Sequence, residues 1–299
     1  MSAATLIFGT VLLLFVLAPL LLGSAGWWRS RREPAPPPWD VQFSLASMLL
    51  YTLAFNLTFL VQDFFLVLPK ALTPGLRPTL YHNNHTWQGD NALAALFQGT
   101  GALATCAVAL FCAALLRLAT VRSSTARLFL IWMAYCGFFM ALPQVVIGAL
   151  STGSDVGMAL DYLQLSAATK LVAGFVALAL LPPIALWLLR ELLACSDAPA
   201  TGARARGRFV FRTATVPALA ALSLLVIFRV PREWLEVLFL PVVVTWFGIV
   251  WMQAGAWLMA APLRAVRTAQ QWPLRWLTVA VLLLLLVFQF VLRPGVRFY

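Results

Sequence analysis

Charge is scarce in this chain, and so are histidine, acidic groups and paired cysteines. Only 10% of the 299 residues are Asp, Glu, Lys or Arg, 62% are hydrophobic, and the mean hydropathy is +0.90. A soluble domain is about 25% charged, so a water-soluble fold of this size could not cover its apolar surface. Disorder and a collagen-like chain are excluded by the same figures. The four cysteines, Cys106, Cys112, Cys136 and Cys195, have neither CxxC nor metal-ligand spacing. That removes a disulfide scaffold and leaves them as small packing residues. The chain has only two histidines, too few for the diiron desaturases and multi-haem cytochromes. There is no HExxH, P-loop or GxSxG either.

What the chain does have is long apolar runs. Crossing a hydrocarbon core takes about 20 mostly apolar residues in a helix. Eight runs qualify, at about 4–23, 43–68, 92–116, 128–150, 162–189, 211–228, 234–260 and 276–292. The sixth is the weakest, because Arg212 and Pro217 fall in its first turns. The expected fold is an all-α transmembrane bundle of eight spans, one integral membrane domain over 1–299. The first run lacks a basic leader and an A-x-A site, so it reads as a permanent helix rather than a signal peptide.

The net charge of +11 is spread in short clusters between these runs, which argues against nucleic acid as a partner. Counting Arg212 with the fifth connecting segment and Lys170 with the fourth, 14 of the 21 basic residues fall in the first, third, fifth and seventh segments and 7 in the others and the tail. This bias puts the basic segments in the cytoplasm and both termini outside. The setting expected is a cell membrane of the bacterial inner-membrane kind. Trp27, Trp28, Trp39, Trp187, Trp272 and Trp276 at cytoplasmic ends, with Trp87 and Trp234 at outer ends, form an aromatic belt. Pro34, Pro36, Pro37 and Pro38 make the first basic connector stiff.

Intramembrane polar residues are costly, so their depth is informative. Asn56, Gln62 and Asp63, Gln98, Gln144, Gln289, and Asp161, Gln164 and Lys170 all fall in or near the outer half. Only Gln253 lies clearly in the inner half. Asn56 and Asp63 are two helical turns apart and share one face, for which Lys170 is the natural counter-charge. Gly101, Thr105, Ala109 and Ala113 recur every fourth residue, a close-packing stripe that suggests a central third span. Pro143 and the Pro182–Pro183 pair are positioned to bend their helices.

The densest polar stretch is 81–91, which holds both histidines. Three readings compete for it. His82 and His85 at i, i+3 suit a divalent transition metal, with Asp90 or Asp63 adding oxygen. The same side chains, with Asn83 and Asn84, suit acid/base work on a lipid headgroup or its binding. The bland alternative is a cap in which Asp90 or Asn91 starts the third span. Asn84-His85-Thr86 is also a formal glycosylation sequon. Just upstream, Lys70-x6-Arg77-Pro78 resembles the first signature of the phosphatidate-phosphatase type of membrane lipid phosphatases. That family's later signatures need histidines, and none follows His85, so membership is excluded. The two cations remain suited to an anionic headgroup.

The site expected from these residues opens to the outer leaflet. Its catalytic set is His82, His85 and Asp63, and its binding set is Asn56, Gln62, Asn83, Asn84, Asp90, Asp161 and Lys170. The expected partner is a membrane lipid or other amphiphile. A transporter with Asp63 and Lys170 as coupling charges, or a structural subunit packed on protein partners in the membrane, are the alternatives. The orientation is directly testable. Cysteines introduced at Ser154 and Asn84 should react with an impermeant thiol reagent in intact cells, and one at Thr201 should not. Labelling at Thr201 would reverse the assignment.

Overall fold

The computed structural model describes residues 2–34, 38–118, 123–196, 202–259 and 272–299. Pro36, Pro37, Arg122, Thr201, Arg264 and Arg267 lie outside them. Eight helices are long and apolar enough to span a membrane, which makes this a multi-pass membrane protein with the expected number of crossings. They are α1 (Ala3–Arg32), α2 (Val41–Ala71), α3 (Leu93–Arg117), α4 (Ser124–Leu150), α6 (Ala167–Leu193), α7 (Ala203–Arg229), α8 (Glu236–Leu258) and α9 (Leu274–Leu292). The short helix α5 (Asp155–Tyr162) joins α4 to α6. Helix α7 begins eight residues before the expected sixth span. Its basic first turn is held by Glu33, whose side chain and carbonyl each accept from Arg204 at 2.8 Å.

The alternating series is visible in the contacts between connections. On one face, Glu33 meets Arg204, Arg127 pairs with Glu191 at the foot of α6, and Arg206 bonds the Met259 carbonyl. On the other, β1 (Arg77–Leu80) and β2 (His85–Gln88) form an antiparallel hairpin, and β3 (Val296–Arg297) at the C-terminus pairs with β1. The C-terminus and the 72–92 segment therefore share a face, as an even number of intervening spans requires. These are called below the basic face and the hairpin face. Gly89, at φ +106°, closes the hairpin base, where a Cβ would fall 1.8 Å from the Gly75 carbonyl oxygen.

Helices α2 and α4 are the most buried spans. The third span was expected at the centre, and it is peripheral instead. Its small-residue stripe does permit close approach, since a Cβ on Gly101 would strike Leu66 and Gln62, and one on Gly137 would strike Ala109. The stripe is narrow, however, and Leu103, Leu110 and Phe111 on the other side are exposed. One small face suffices to dock a helix but not to surround it.

Polar atoms at the core are matched in pairs. Tyr51 and Thr245 hydroxyls are 2.7 Å apart, the Tyr135 hydroxyl donates to the Thr245 carbonyl at 2.6 Å, and it accepts from the Ile249 amide at 3.1 Å. Of four π turns among the described residues, two, Leu13–Leu17 and Phe211–Thr215, stretch their helices' hydrogen-bond ladders against a neighbouring span. Neighbours supply the donors there. The Trp251 and Trp246 indoles donate to the Leu14 and Phe15 carbonyls at 2.8 and 2.9 Å, pinning α1 to α8. Ser44 and Ser47 donate to the Arg212 and Thr213 carbonyls at 2.7 and 2.5 Å, pinning α2 to α7.

Gly248 allows the Tyr135 ring to reach this network, because a Cβ there would lie 2.3 Å from the ring. Gly248→Ala should therefore destabilise the protein by about 1–3 kcal/mol through overpacking. Tyr135→Ala should cost less in that background than in the parent. Additive melting shifts in detergent would show that the two positions are independent.

Candidate functional site

Polarity collects on the hairpin face, in three connected places. The first is the end of α2. Lys70 is fully buried, yet no carboxylate touches its ammonium. Nζ donates to the Leu66 carbonyl and to Gln98 Oε1, both at 2.8 Å, and lies 4.7 Å from the centre of the Trp87 ring. The free carbonyls of a helix C-terminus favour a cation there, and the indole face supplies further negative potential. Gln98 Oε1 also accepts from His85 Nε2 at 2.9 Å, and the imidazole stacks near Trp87. Burial, then the Lys70 charge, lowers the His85 pKa to about 4. His85 is therefore a neutral imidazole with its Nε2 proton committed.

The second place is the junction between α7 and α8. Asn83 Nδ2 donates to the Arg229 carbonyl at 2.8 Å, and Arg232 donates to the Asn83 carbonyl at 3.3 Å and pairs with Glu236. The buried Arg229 guanidinium lies 4.4 Å from the Phe59 ring centre, and its Nε donates to the Glu236 carbonyl at 3.2 Å. Asp63 is buried on α2 with Arg229 as its main electrostatic partner, and its Oδ2 has no hydrogen bond. His82 lies against this corner, its imidazole beside the Arg229 and Val230 backbone. Burial, followed by the Arg293 charge, lowers its pKa.

The third place is a cleft of about 300 Å³ between α2, α4, the start of α5 and the start of α8. Its polar wall is Gln62, Gln144, Ser154 and Asp155, and its apolar wall includes Met140, Ile147, Val156 and Leu240. Gln144 Nε2 donates to Gln62 Oε1 and to the Met140 carbonyl, each at 3.0 Å. Gln62 Nε2 and Gln144 Oε1 carry no hydrogen bond among the described residues. Ser154 caps α5 by accepting from the Gly157 amide at 3.2 Å, which fixes Asp155 in the first turn. Burial raises the Asp155 pKa, and the Lys70 charge opposes that shift. The cleft and the Lys70 cluster are thus electrostatically coupled.

Of the residues expected at the site, only Gln62 lines this cleft. His82, His85 and Asp63 sit behind or beside it. Asn56 turns back to its own helix, its Nδ2 donating to the Thr52 carbonyl at 2.8 Å. Asn84 closes the hairpin turn, its carbonyl accepting from the Tyr81 amide at 2.8 Å. Asp90 is exposed and Asn91 accepts from the Leu93 amide at 3.0 Å, but the residue at the N-cap of the third span is Ala92, which offers no side-chain cap.

The expected Asp63–Lys170 pair is not formed. Lys170 pairs with Asp161 on the rim, because a tight turn at Gln164 (φ 52°) brings these two residues together locally. The metal reading is also corrected. Among the described residues no three His, Cys, Asp or Glu side chains gather. His85 faces an ammonium, whereas His82 faces the α7–α8 junction, so the two imidazoles serve different neighbours.

Asp155, Gln144, Gln98, Lys70 and Arg229 carry the polar chemistry that the expected set missed. Gln98 and Gln144 were marked in the sequence by depth and Lys70 by its spacing to Arg77 and Pro78, and neither signal says which helices meet. Compared with family models, curated proteins and solved structures, the chain matches none.

The depressed His85 pKa has a pH consequence. The unfolded side chain titrates near 6.5 and the folded one near 4, so below about pH 6.5 the unfolded chain binds more protons. This contribution is complete above that pH and is lost as pH falls towards 4. The melting temperature should drop more between pH 7.5 and 5 in the parent than in His85→Gln. Equal drops would disprove the buried neutral imidazole.

Proposed function

We propose that the protein binds the polar head of an amphiphile in the cleft on its hairpin face. The observation that carries this reading is the mixed lining of the cleft. Amides, a hydroxyl and a carboxylate stand on one side, and Met140, Ile147, Val156 and Leu240 on the other. Ile147 is exposed on the outside of the bundle, so a ligand can enter sideways from lipid. Sites for small molecules combine an apolar wall with a few placed polar groups in this way.

The wall contains acceptors, one acid and a single free amide donor, but no cation. It therefore favours a head rich in hydroxyl or amine donors over a bare phosphate. Lys70 acts on the Asp155 charge without lining the cleft. Catalysis by His82, His85 or Asp63 is not part of the reading, because none of them reaches the cleft. With the basic face in the cytoplasm, as its 14 Lys and Arg favour, the cleft draws from the outer leaflet of a cell membrane.

The test is mass spectrometry of lipids that co-purify with the protein. Gln144→Leu combined with Asp155→Asn should cut retention of the bound amphiphile at least five-fold, about 1 kcal/mol. The melting temperature should change little, since both positions are only partly buried. Asp90→Ala, on the exposed loop, should retain the parent's lipids. Unchanged lipids in the double variant would overturn the proposal.

A further inference from the structure

A second and larger opening lies on the other half of the bundle. It is a groove of about 400 Å³ between α1, α7 and α8, walled by Pro19, Leu219, Leu222, Val242, Ile249 and Trp257. Its few polar groups are already paired. Thr215 bonds Gln253 Oε1 at 2.8 Å, Gln253 Nε2 donates to the Gly207 carbonyl at 3.1 Å, and Ser24 donates to the Leu21 carbonyl at 3.1 Å. The wall thus offers a ligand hydrocarbon contact and little else. From Val242 to Trp257 it follows α8 for about 22 Å at the helical rise. That is about three-quarters of a core about 30 Å thick, long enough for an acyl chain laid lengthwise from the basic end. A transmembrane helix, about 10 Å across with its side chains, is too wide for a groove of this volume.

The end of the groove at the basic face is strongly cationic. Trp27 lines it, and the Arg31 guanidinium lies 4.0 Å from the Trp27 ring centre. Trp257 is gripped between Gly26 and Gly207, where added Cβ atoms would fall 2.6 and 2.5 Å from it. That contact brings the end of α1 and the start of α7 together, and with them Arg31 and the exposed Arg208. Among the described residues neither is in an ion pair, and the nearby Glu33 is engaged by Arg204.

We propose that this groove holds an acyl chain of an anionic bilayer phospholipid, with its phosphate held at the mouth by Arg31 and Arg208. Basic pockets between helices on the cytoplasmic side bind acidic lipid heads for the same reason. The proposal is independent of the cleft on the hairpin face, whose wall carries no cation.

The experiment uses the full chain in detergent with equal amounts of phosphatidylglycerol and phosphatidylcholine of identical chains, read by native mass spectrometry. The parent should retain phosphatidylglycerol at least five-fold over phosphatidylcholine. Arg31→Gln with Arg208→Gln should bring that ratio close to one, and Leu219→Trp, which fills the groove, should lose both lipids. Equal retention by the parent, or an unchanged ratio in the double variant, would overturn the proposal. Displacement by free glycerol phosphate would do the same, because the chain is required.

Should Leu219→Trp fail to fold, the parent decides alone. Phosphatidylglycerol with a diazirine in its tail should cross-link within 215–222 or 242–257. Labelling confined to other segments, or a protein cross-linked there instead, would refute the lipid.

Discussion

At membrane depth no water is present to complete a hydrogen bond, so a backbone carbonyl or amide released from a regular helix is answered by another atom of the chain. That constraint arranges the bundle more than apolar contact does, since lipid tails compete equally for apolar surface. Its effect is seen where helices depart from regular geometry. The π turn in α1 is answered by two indoles of α8, and the π turn in α7 by two hydroxyls of α2. Each irregular turn would be unstable alone, and each becomes the point at which a neighbouring helix is fixed in register. Tyr135 does the same at the centre, joining α4 to the α8 backbone.

The same rule explains how Lys70 survives full burial without a carboxylate. Its three N–H directions are taken by a helix carbonyl, an amide oxygen and an aromatic face. Gln98 is the shared acceptor, so the proton on His85 Nε2 and the charge on Lys70 depend on one oxygen. A second proton on His85 would place two cations around that atom. The low His85 pKa is therefore a property of the arrangement, not of the histidine alone.

The number of spans and their alternation were legible in the sequence because both depend on quantities that add along the chain, hydropathy and basic charge. The pairings were not. Asp63 and Lys170 have compatible depths, but depth is one coordinate and a contact needs three. The turn at Gln164 gave Lys170 to Asp161, and the α7–α8 junction left Arg229 as the charge that acts most on Asp63, without an ion pair between them. The small-residue stripe of α3 shows the same limit: it identified a docking face correctly and the helix's place in the bundle wrongly. Gln62 was found because it shares the polar turn of α2 with Asp63. Gln144 and Asp155 face it only because α4 and α5 fold over that turn.

The two openings differ in ways that follow from where the polar atoms are spent. In the groove on the basic face, Gln253, Thr215 and Ser24 have satisfied one another or nearby carbonyls, so only hydrocarbon surface is presented. In the cleft on the hairpin face, one bond joins Gln62 and Gln144 and leaves an amide donor and an acceptor over. Charge follows the same division: arginines surround the mouth of the groove, whereas the cleft's own wall carries a carboxylate and no cation. On the proposed readings, an amphiphile in the cleft would be selected by its head, and one in the groove would be held by its tail and steered by its charge.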